Sequence, residues 1–275
     1  MRAILRAVLG LASALMASLP SPGQAADAVR LHAAGSLRAP LTEVARAYEA
    51  AGGPRVDATF GASGLLRDAI VGGAPAEVFA SANMEHPRAL AEAGRGGPAV
   101  LFARNRLCAL ARPGLATTGA DIVDRMLDPR IKLGTSTPGS DPSGDYAWAV
   151  FRRIDAQRPG SLAVLAGKAL RLTGGPASPK PATERSVYGT LVERGEADLF
   201  LTYCTNARVA AREVAGARVV DLPEAIAVGA DYGLAVMNGA AEGAYRLALF
   251  ILSPEGQAVL ARHGFTAPNT PMEER

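Results

Sequence analysis

Short apolar runs alternate with segments of helical periodicity along most of the chain. Residues 28–33 form a short apolar run and residues 55–60 are a second predicted strand, and each is followed by small residues, at 34–36 and 61–64. Residues 39–51 place Leu41, Val44 and Tyr48 on one helix face. Such alternation predicts mostly parallel strands joined by helices, and hence an α/β fold. The sequence predicts further strands at 77–80, 107–111, 132–135, 198–203, 218–221 and 232–237, and further helices ending at Ile70 and at 84–94, 146–154, 162–172, 185–194 and 239–262, the last interrupted at Ser253.

Units in which a strand leads into a small polar turn occur in both halves of the chain. In open α/β sheets, ligands bind at the carboxyl ends of the strands. Two such groups of strands that face each other form a cleft between them. The pattern therefore predicts two α/β lobes with a ligand site between the lobes.

The N-terminus has the features of a secretory signal peptide. Arg2 and Arg6 precede an apolar stretch at residues 7–19, and residues 23–25 offer small side chains for cleavage. The apolar stretch is too short to span a bilayer comfortably, which argues against the alternative of a membrane anchor. We therefore predict that residues 1–25 are removed and that the mature protein lies in the periplasm.

Charge and cysteine content restrict the classes of partner. Removing residues 1–25 removes two arginines and no acid, so the net charge falls from +3 to +1. Without a basic stripe, nucleic acid is a poor candidate partner. Cys108 and Cys204 are a candidate disulfide in an oxidising compartment, the alternative being two buried thiols. Neither cysteine belongs to a zinc-ligand pattern, so no metal site is predicted.

Two serines occupy equivalent positions between a predicted strand and a predicted helix. Ser36 follows the first strand and Ser63 follows the second, within the glycine-containing segment 60–64. Hydroxyl and N–H groups at a helix start favour anions, although a single such serine is more commonly an N-cap. Two of them at neighbouring parallel strands predict a pair of hydroxyls at one sheet edge.

Two further features lie at the ends of predicted strands. The loop at residues 136–146 is crowded with hydroxyls and turn formers, and its simpler explanation is a surface loop capped by Ser143 or Asp145. Tyr203 ends another strand, and its simpler explanation is a half-buried aromatic with a satisfied hydroxyl.

Catalytic motifs receive little support from the sequence. The segment around Ser63 departs from the G-x-S-x-G pattern at its last position, and no phosphate-binding or dinucleotide-binding glycine motif is present. The three histidines, His32, His86 and His263, are scattered. A secreted serine hydrolase that uses Ser63 is therefore a distant alternative, and we expect a protein that is not an enzyme.

The order of these motifs resembles that of the periplasmic molybdate-binding proteins, over residues 28–267. The most specific segment is Gly-Ala-Pro-Ala-Glu-Val-Phe at residues 73–79. The resemblance implies a type II periplasmic binding fold whose lobes are joined by two strands that cross near residues 103–107 and 232–234. The other segments that carry the resemblance are 33–37, 60–63, 80–82, 191–198 with Tyr203, and 264–265. The implied division is lobe 1 at 26–103 and 233–275, and lobe 2 at 104–232.

The resemblance also implies a ligand and a set of contacts. The family binds molybdate or tungstate between the lobes without a cofactor, and delivers it to the membrane permease of an ABC importer. Its hydroxyl ligands fall on Ser36, Ser63 and Tyr203, and its backbone ligands on Ser143 and Arg185. We expect the protein to act as a monomer.

Three charged residues depart from the family pattern. Asp141 and Asp145 would repel an anion if they faced it, and Arg185 replaces an apolar residue. We expect the Arg185 side chain either to add a charge to the site, balanced by Asp141, or to point to solvent and leave only its backbone N–H there. These departures leave open another ligand, such as a different oxyanion, a metal chelate or an organic anion.

Overall fold

The computed structural model describes residues 28–178 and 185–268. The predicted signal peptide, residues 1–25, lies outside the described residues. Within these two segments, none of the helices combines the length and the apolar character that a membrane crossing requires.

The described residues form a mixed sheet of nine strands with helices packed on it. The alternation of strands and helices confirms the predicted α/β class. The strands are β1 (Val29–Ala34), β2 (Val56–Gly61), β3 (Val78–Ser81), β4 (Val100–Ala111), β5 (Leu133–Ser136), β6 (Leu170–Thr173), β7 (Leu199–Tyr203), β8 (Arg218–Asp221) and β9 (Gly229–Val236). The helices are α1 (Arg38–Ala50), α2 (Ser63–Val71), α3 (Glu85–Glu92), α4 (Ile122–Leu127), α5 (Pro142–Gln157), α6 (Ser161–Lys168), α7 (Val187–Glu193), α8 (Cys204–Glu213), α9 (Glu242–Leu252) and α10 (Pro254–Arg262).

The strand order is β2-β1-β3-β9-β4-β7-β5-β6, and β8 also pairs with β4. β1 is parallel to β2 and β3, and β5 is parallel to β6 and β7. β9 lies antiparallel between β3 and β4. The chain therefore builds two groups of parallel strands, connected through antiparallel β9 and β4.

The long strand β4 belongs to both groups. Its residues 100–106 pair with β9, whereas its residues 107–111 pair with β7 and β8. The change of partners falls between Arg106 and Leu107. The predicted lobe boundaries at 103/104 and 232/233 stay a prediction.

Helix α1 shows how the apolar pattern becomes packing. Leu41, Val44 and Tyr48 are buried in the core, as their helical spacing predicts. The Tyr48 hydroxyl donates a hydrogen bond to the carbonyl oxygen of Gly243 (2.9 Å). This bond ties α1 to the first turn of α9, so the C-terminal helices close over the first group of strands.

Glu77, from the segment that most resembles the molybdate-binding family, has a structural role. Its two carboxylate oxygens accept hydrogen bonds from the N–H groups of Arg30 (3.0 Å) and Ala241 (3.2 Å). The buried carboxylate thus joins the start of β3 to β1 and to the beginning of α9. Its hydrogen bonds satisfy backbone donors that would otherwise be buried without partners.

The sequence predictions were incomplete. Residues 162–172 were predicted as one helix, but α6 ends at Lys168 and the chain continues as β6, parallel to β5. The Lys168 ammonium donates to the carbonyl oxygen of Met126 (2.9 Å), which fixes the end of α6. Helices α4 and α8 were not predicted at all.

Candidate functional site

Ser36 lies in a short 3-10 turn, residues 35–37, directly after β1. Its hydroxyl oxygen is 3.0 Å from the hydroxyl oxygen of Tyr232 on β9. The Asn105 side chain on β4 donates to the Thr205 hydroxyl (3.0 Å) and lies 3.5 Å from the Tyr232 hydroxyl. Burial raises the pKa of Tyr232, so this phenol stays a neutral donor. The turn after β1 is therefore connected to both antiparallel strands between the two groups.

Ser63 is the first residue of α2 and is only 1% exposed. Its hydroxyl oxygen accepts a hydrogen bond from the N–H of Ala82 (3.0 Å). The next residue, Gly64, donates its N–H to the carbonyl oxygen of Ser140 (2.9 Å). A Cβ at Gly64 would lie 2.6 Å from that oxygen, so only glycine permits this approach. The start of α2 therefore contacts the loop that precedes α5.

Asp141 is the N-cap of α5, and its carboxylate accepts a hydrogen bond from the N–H of Ser143 (3.0 Å). Burial raises the pKa of Asp141 to about 6, against the opposing effects of the Ser143 N–H and the Ser136 hydroxyl. The Ser143 N–H, a predicted backbone ligand, is thus bonded to Asp141. The Ser143 hydroxyl oxygen is buried and has no hydrogen-bond partner among the described residues.

Tyr203, at the end of β7, is 2% exposed, and its hydroxyl also has no partner in the described part of the chain. Its ring contacts the rings of Tyr232 (centroids 5.5 Å apart) and Tyr146 (6.3 Å). Burial raises the pKa of Tyr203 well above its ordinary value, and the neighbouring Tyr232 and Asp141 add to the shift. A buried hydroxyl without a partner costs about 1–3 kcal/mol, which makes it a candidate donor to a ligand.

Ring contacts and hydrogen bonds join the predicted hydroxyl residues into one cluster. Tyr146 on α5 donates to the carbonyl oxygen of Ala82 (3.4 Å), whose N–H donates to Ser63. Tyr146 also contacts the ring of Tyr203, which in turn contacts Tyr232. The hydroxyl cluster therefore comprises Ser36, Tyr232, Tyr203, Tyr146 and Ser63, the last joined through the backbone of Ala82, with Ser143 one turn before Tyr146 on α5.

Arg185 precedes α7 and has a different environment. Its guanidinium forms an ion pair with Glu193 (2.9 Å), and the Arg185 side chain is 46% exposed. Ser186 caps α7, and its hydroxyl oxygen accepts the N–H of Gly189 (3.3 Å). The ion pair directs the guanidinium along its own helix. Whether the guanidinium or only the backbone N–H of Arg185 faces a ligand stays a prediction.

Cys108 on β4 and Cys204 at the start of α8 form a disulfide, with their Cα atoms 4.8 Å apart. Cys204 directly follows Tyr203, so the bond holds the end of β7 against β4. Within the described residues, one group of three side chains has metal-ligand spacing, and it consists of these cysteines and Asp221. Because both sulfurs are in the disulfide, this group offers no thiolate to a metal.

The surroundings of the histidines do not favour a hydrolase. The Ser63 hydroxyl is engaged with the backbone of Ala82, while His263 pairs with Glu43 (2.8 Å). His86 lies 3.2 Å from Arg67, and burial lowers the pKa of His86 to about 4. A serine nucleophile requires a base within hydrogen-bond reach, and the contacts of Ser63 supply a backbone donor instead.

Sequence patterns did not single out Tyr232, Tyr146, Asn105 or Thr205. Tyr232 lies within an apolar strand and Tyr146 has the spacing of a core residue on α5, so both resemble ordinary packing residues. Their contribution depends on contacts between distant segments, such as the pairing of β4 with β9.

Comparisons with known proteins place this arrangement in a family. Residues 29–266 match the family described as bacterial extracellular solute-binding protein. An uncharacterized protein of Pasteurella multocida is 36% identical over 214 residues, which are 78% of this chain and 88% of that protein. The molybdate-binding protein ModA of Mycobacterium tuberculosis is 28% identical over 259 residues, 92% of this chain and 90% of that protein.

Solved structures show the same fold. The periplasmic molybdate-binding protein of Azotobacter vinelandii has a TM-score of 0.70 at 19% identity, covering 87% of this chain and 99% of that one. The sulfate-binding protein SubI of Mycobacterium tuberculosis has a TM-score of 0.72 at 20% identity, covering 88% of this chain and 87% of that one. The fold is therefore that of the periplasmic binding proteins, and the chain belongs to the bacterial extracellular solute-binding protein family.

Proposed function

We propose that the protein captures a small tetrahedral oxyanion, with molybdate or tungstate as the first candidates, and delivers it to the membrane permease of an ABC importer. The observation that carries the proposal is the pair of buried hydroxyls, on Tyr203 and Ser143, that have no hydrogen-bond partner among residues 28–178 and 185–268. The Tyr203 ring contacts Tyr232, whose hydroxyl bonds to Ser36, and Ser143 lies one turn before Tyr146, which bonds through Ala82 to Ser63.

Neutral donors suit such a ligand. A dianion transferred from water into a closed cleft loses its hydration, and hydroxyl and N–H dipoles replace that hydration without adding a counter-charge. The N-terminal ends of α2 and α5 add favourable dipoles. Tyr203, with its raised pKa, keeps its proton and serves as a donor at physiological pH.

The contacts between the two groups support a cleft that closes on its ligand. Gly64 on α2 bonds to Ser140, and Tyr146 on α5 bonds to Ala82. Both bonds lie beside the hydroxyl cluster. They would break if the two groups of parallel strands moved apart. Ligand binding that completes the donor set would favour the closed arrangement.

The proposal includes export of the protein to the periplasm. The signal peptide, cleaved near Ala25, would place the mature chain in the periplasm as a monomer that meets the importer there. The likeness to a molybdate-binding protein over 92% of the chain supports molybdate as the first ligand to test.

A thermal-shift experiment on mature protein, residues 26–275, tests the proposal with molybdate, tungstate and sulfate. At a ligand concentration about 100 times Kd, binding stabilises the folded state by about 2.7 kcal/mol, which corresponds to a shift of about 5–10 °C. Ser143→Ala should reduce the shift. Ser253→Ala, which removes the cap of α10 away from the cluster, should lower the unfolding temperature but leave the ligand-induced shift unchanged. No shift with any of these anions would refute oxyanion capture.

One observation favours a second candidate ligand. The Asp141 carboxylate accepts the Ser143 N–H and contributes to the raised pKa of Tyr203, and a carboxylate repels an anion that lacks a proton. Phosphate, or a phosphate ester that carries a hydroxyl donor, would satisfy the carboxylate. Adding phosphate to the same screen separates the two candidates.

A further inference from the structure

Helix α2 has no capping side chain at its N-cap position, which is occupied by Ala62. By contrast, α5, α7 and α10 are each capped by their own N-cap side chain. The hydroxyl of Ser63, the first residue of α2, accepts the N–H of Ala82. The N–H of Gly64 donates to the carbonyl oxygen of Ser140 (2.9 Å), so a backbone carbonyl from another segment caps this helix.

The capping carbonyl belongs to the opposite group of strands. Helix α2 follows β2 in the first group, whereas Ser140 lies in the loop that follows β5 in the second group. Five strands, β1, β3, β9, β4 and β7, separate β2 from β5 in the sheet, so strand pairing does not bring these two segments together. The hydrogen bond therefore crosses the cleft between the groups, and it exists only while the cleft is closed.

The loop that presents the carbonyl is fixed within its own group. The N–H of Thr137 donates to the carbonyl oxygen of Thr173 (2.9 Å), and the N–H of Asp141 donates to the carbonyl oxygen of Thr137 (2.9 Å). Gly139 has a φ of +78°, and its N–H donates to the Asp145 carboxylate (2.8 Å). The carbonyl oxygens that face α2 therefore have a defined position.

The approach of α2 to this loop leaves no room for a side chain. A Cβ at Gly64 would lie 2.6 Å from the carbonyl oxygen of Ser140 and 2.7 Å from that of Gly139. Both oxygens are backbone atoms of the fixed loop, so neither can rotate away as the end of a flexible side chain would. A larger residue at this position would hold the two closing surfaces apart, although its N–H would remain.

We propose that Gly64 is a positioning residue for ligand capture, and that the cap supplied by Ser140 holds the cleft closed over the bound anion. This inference rests on the proposed oxyanion-binding function and deepens it. The cap places the start of α5, with the Ser143 hydroxyl, against the start of α2, with the Ser63 hydroxyl. Because the cap exists only in the closed arrangement, it shifts the balance toward that arrangement and slows release of the anion.

Gly64→Ala tests the proposal, since alanine keeps the N–H and is favourable in a helix. Calorimetry with molybdate should show a Kd weakened by about tenfold or more, because closure loses the cap and meets two carbonyl oxygens. Small-angle X-ray scattering adds a measurement that a general loss of stability would not change. Molybdate at concentrations above each Kd should contract the wild-type protein but leave Gly64→Ala expanded.

Gly72→Ala is the matched control at the other end of α2. Gly72 is exposed and has a φ of −73°, and its Cβ would lie 3.4 Å from the nearest atoms, the carbonyl oxygens of Ala69 and Asp68. The substitution is therefore the same, on the same helix, but away from the loop before α5. This variant should bind molybdate with the wild-type Kd and contract as the wild-type protein does.

Amide hydrogen exchange in the wild-type protein tests the cap without a variant, and so covers the case in which Gly64→Ala does not fold. The N–H of Leu66 donates to the carbonyl oxygen of Ala62 (3.0 Å), within the first turn of α2 and its cap residue. The N–H of Gly64 is bonded across the cleft instead. Molybdate should therefore slow exchange at Gly64 by a larger factor than at Leu66.

The outcomes separate this inference from the proposed function. If the wild-type protein binds molybdate but Gly64→Ala has the same Kd, or contracts to the same dimensions, the role of Gly64 is refuted while oxyanion capture stands. Equal slowing of exchange at Gly64 and Leu66 would refute it as well. Tungstate or sulfate replaces molybdate if only that anion binds. If the wild-type protein binds none of the three, the proposed function is refuted and the role of Gly64 with it.

Discussion

Replacing Tyr203 with phenylalanine should change stability and affinity in opposite directions. The Tyr203 hydroxyl is buried without a partner in the described part of the chain, so its removal relieves a desolvation cost of about 1–3 kcal/mol. The phenylalanine ring keeps the contacts with Tyr146 and Tyr232. Ligand-free Tyr203→Phe should therefore be more stable than wild type by up to that amount, or about 2–4 °C in unfolding temperature for each kcal/mol.

Affinity should fall because the hydroxyl is a proposed donor to the anion. A hydrogen bond to a charged group contributes about 1.5–3 kcal/mol, which corresponds to a loss of about ten- to more than a hundredfold in Kd. Thermal or urea unfolding without ligand gives the first quantity. Calorimetry with the anion that the ligand screen selects gives the second.

Tyr232→Phe is the matched control, since this hydroxyl already has partners in Ser36 and Asn105. Its loss should destabilise the ligand-free protein, in contrast to Tyr203→Phe. If Tyr203→Phe destabilised the free protein and bound the anion as tightly as wild type, the hydroxyl would have a structural partner and no role in the site.

Further experiments test the two serines, the disulfide and Arg185. Ser36→Ala and Ser63→Ala should each weaken binding by about 1.5–3 kcal/mol in calorimetry. Both should also lower the unfolding temperature, because Ser36→Ala leaves the buried Tyr232 hydroxyl with only Asn105 at 3.5 Å and Ser63→Ala leaves a buried backbone N–H unpaired. Equal affinity in both would remove the anion from this end of the cleft. Reducing the bond between Cys108 and Cys204, which are 96 residues apart, should destabilise the protein by about 4–5 kcal/mol in urea unfolding, whereas two alkylatable thiols in freshly purified protein would contradict the disulfide. Arg185→Ala should leave affinity nearly unchanged at low and high salt, and a clear loss at both would place its guanidinium at the anion.

The fold class could be predicted because its signals are local. The period of Leu41, Val44 and Tyr48 marks one helix, and short apolar runs mark the strands. β6 was missed because Leu170 and its neighbours continue the apolar spacing of α6, and only pairing with β5 makes them a strand. The first half of β4 was missed because residues 104–106 are polar, and only their pairing with β9 makes them part of a strand.

The candidate site, too, could be predicted from the sequence only in part. Ser36 and Ser63 follow strands, so their position at a sheet edge follows from the order of elements. The proximity of Tyr232 to Ser36 joins residues 196 positions apart, and no local pattern encodes it. Asp141 was recognised as a departure from the family, but its burial and its bond to the Ser143 N–H required the structure.

The place of β9 in the sheet has a consequence for how the chain reaches its folded state. Residues 229–236 lie between β3 and β4, so the inner edge of β3 remains open until the last fifth of the chain has emerged. Open strand edges invite association with other chains, and closing so distant a contact is slow. A chain that is threaded through a membrane must stay unfolded until it has crossed. Because the sheet cannot form before β9 is available, the chain stays unfolded until most of it has emerged. During that time the open edge of β3 can associate with other chains, so a high yield requires that the emerging chain be protected.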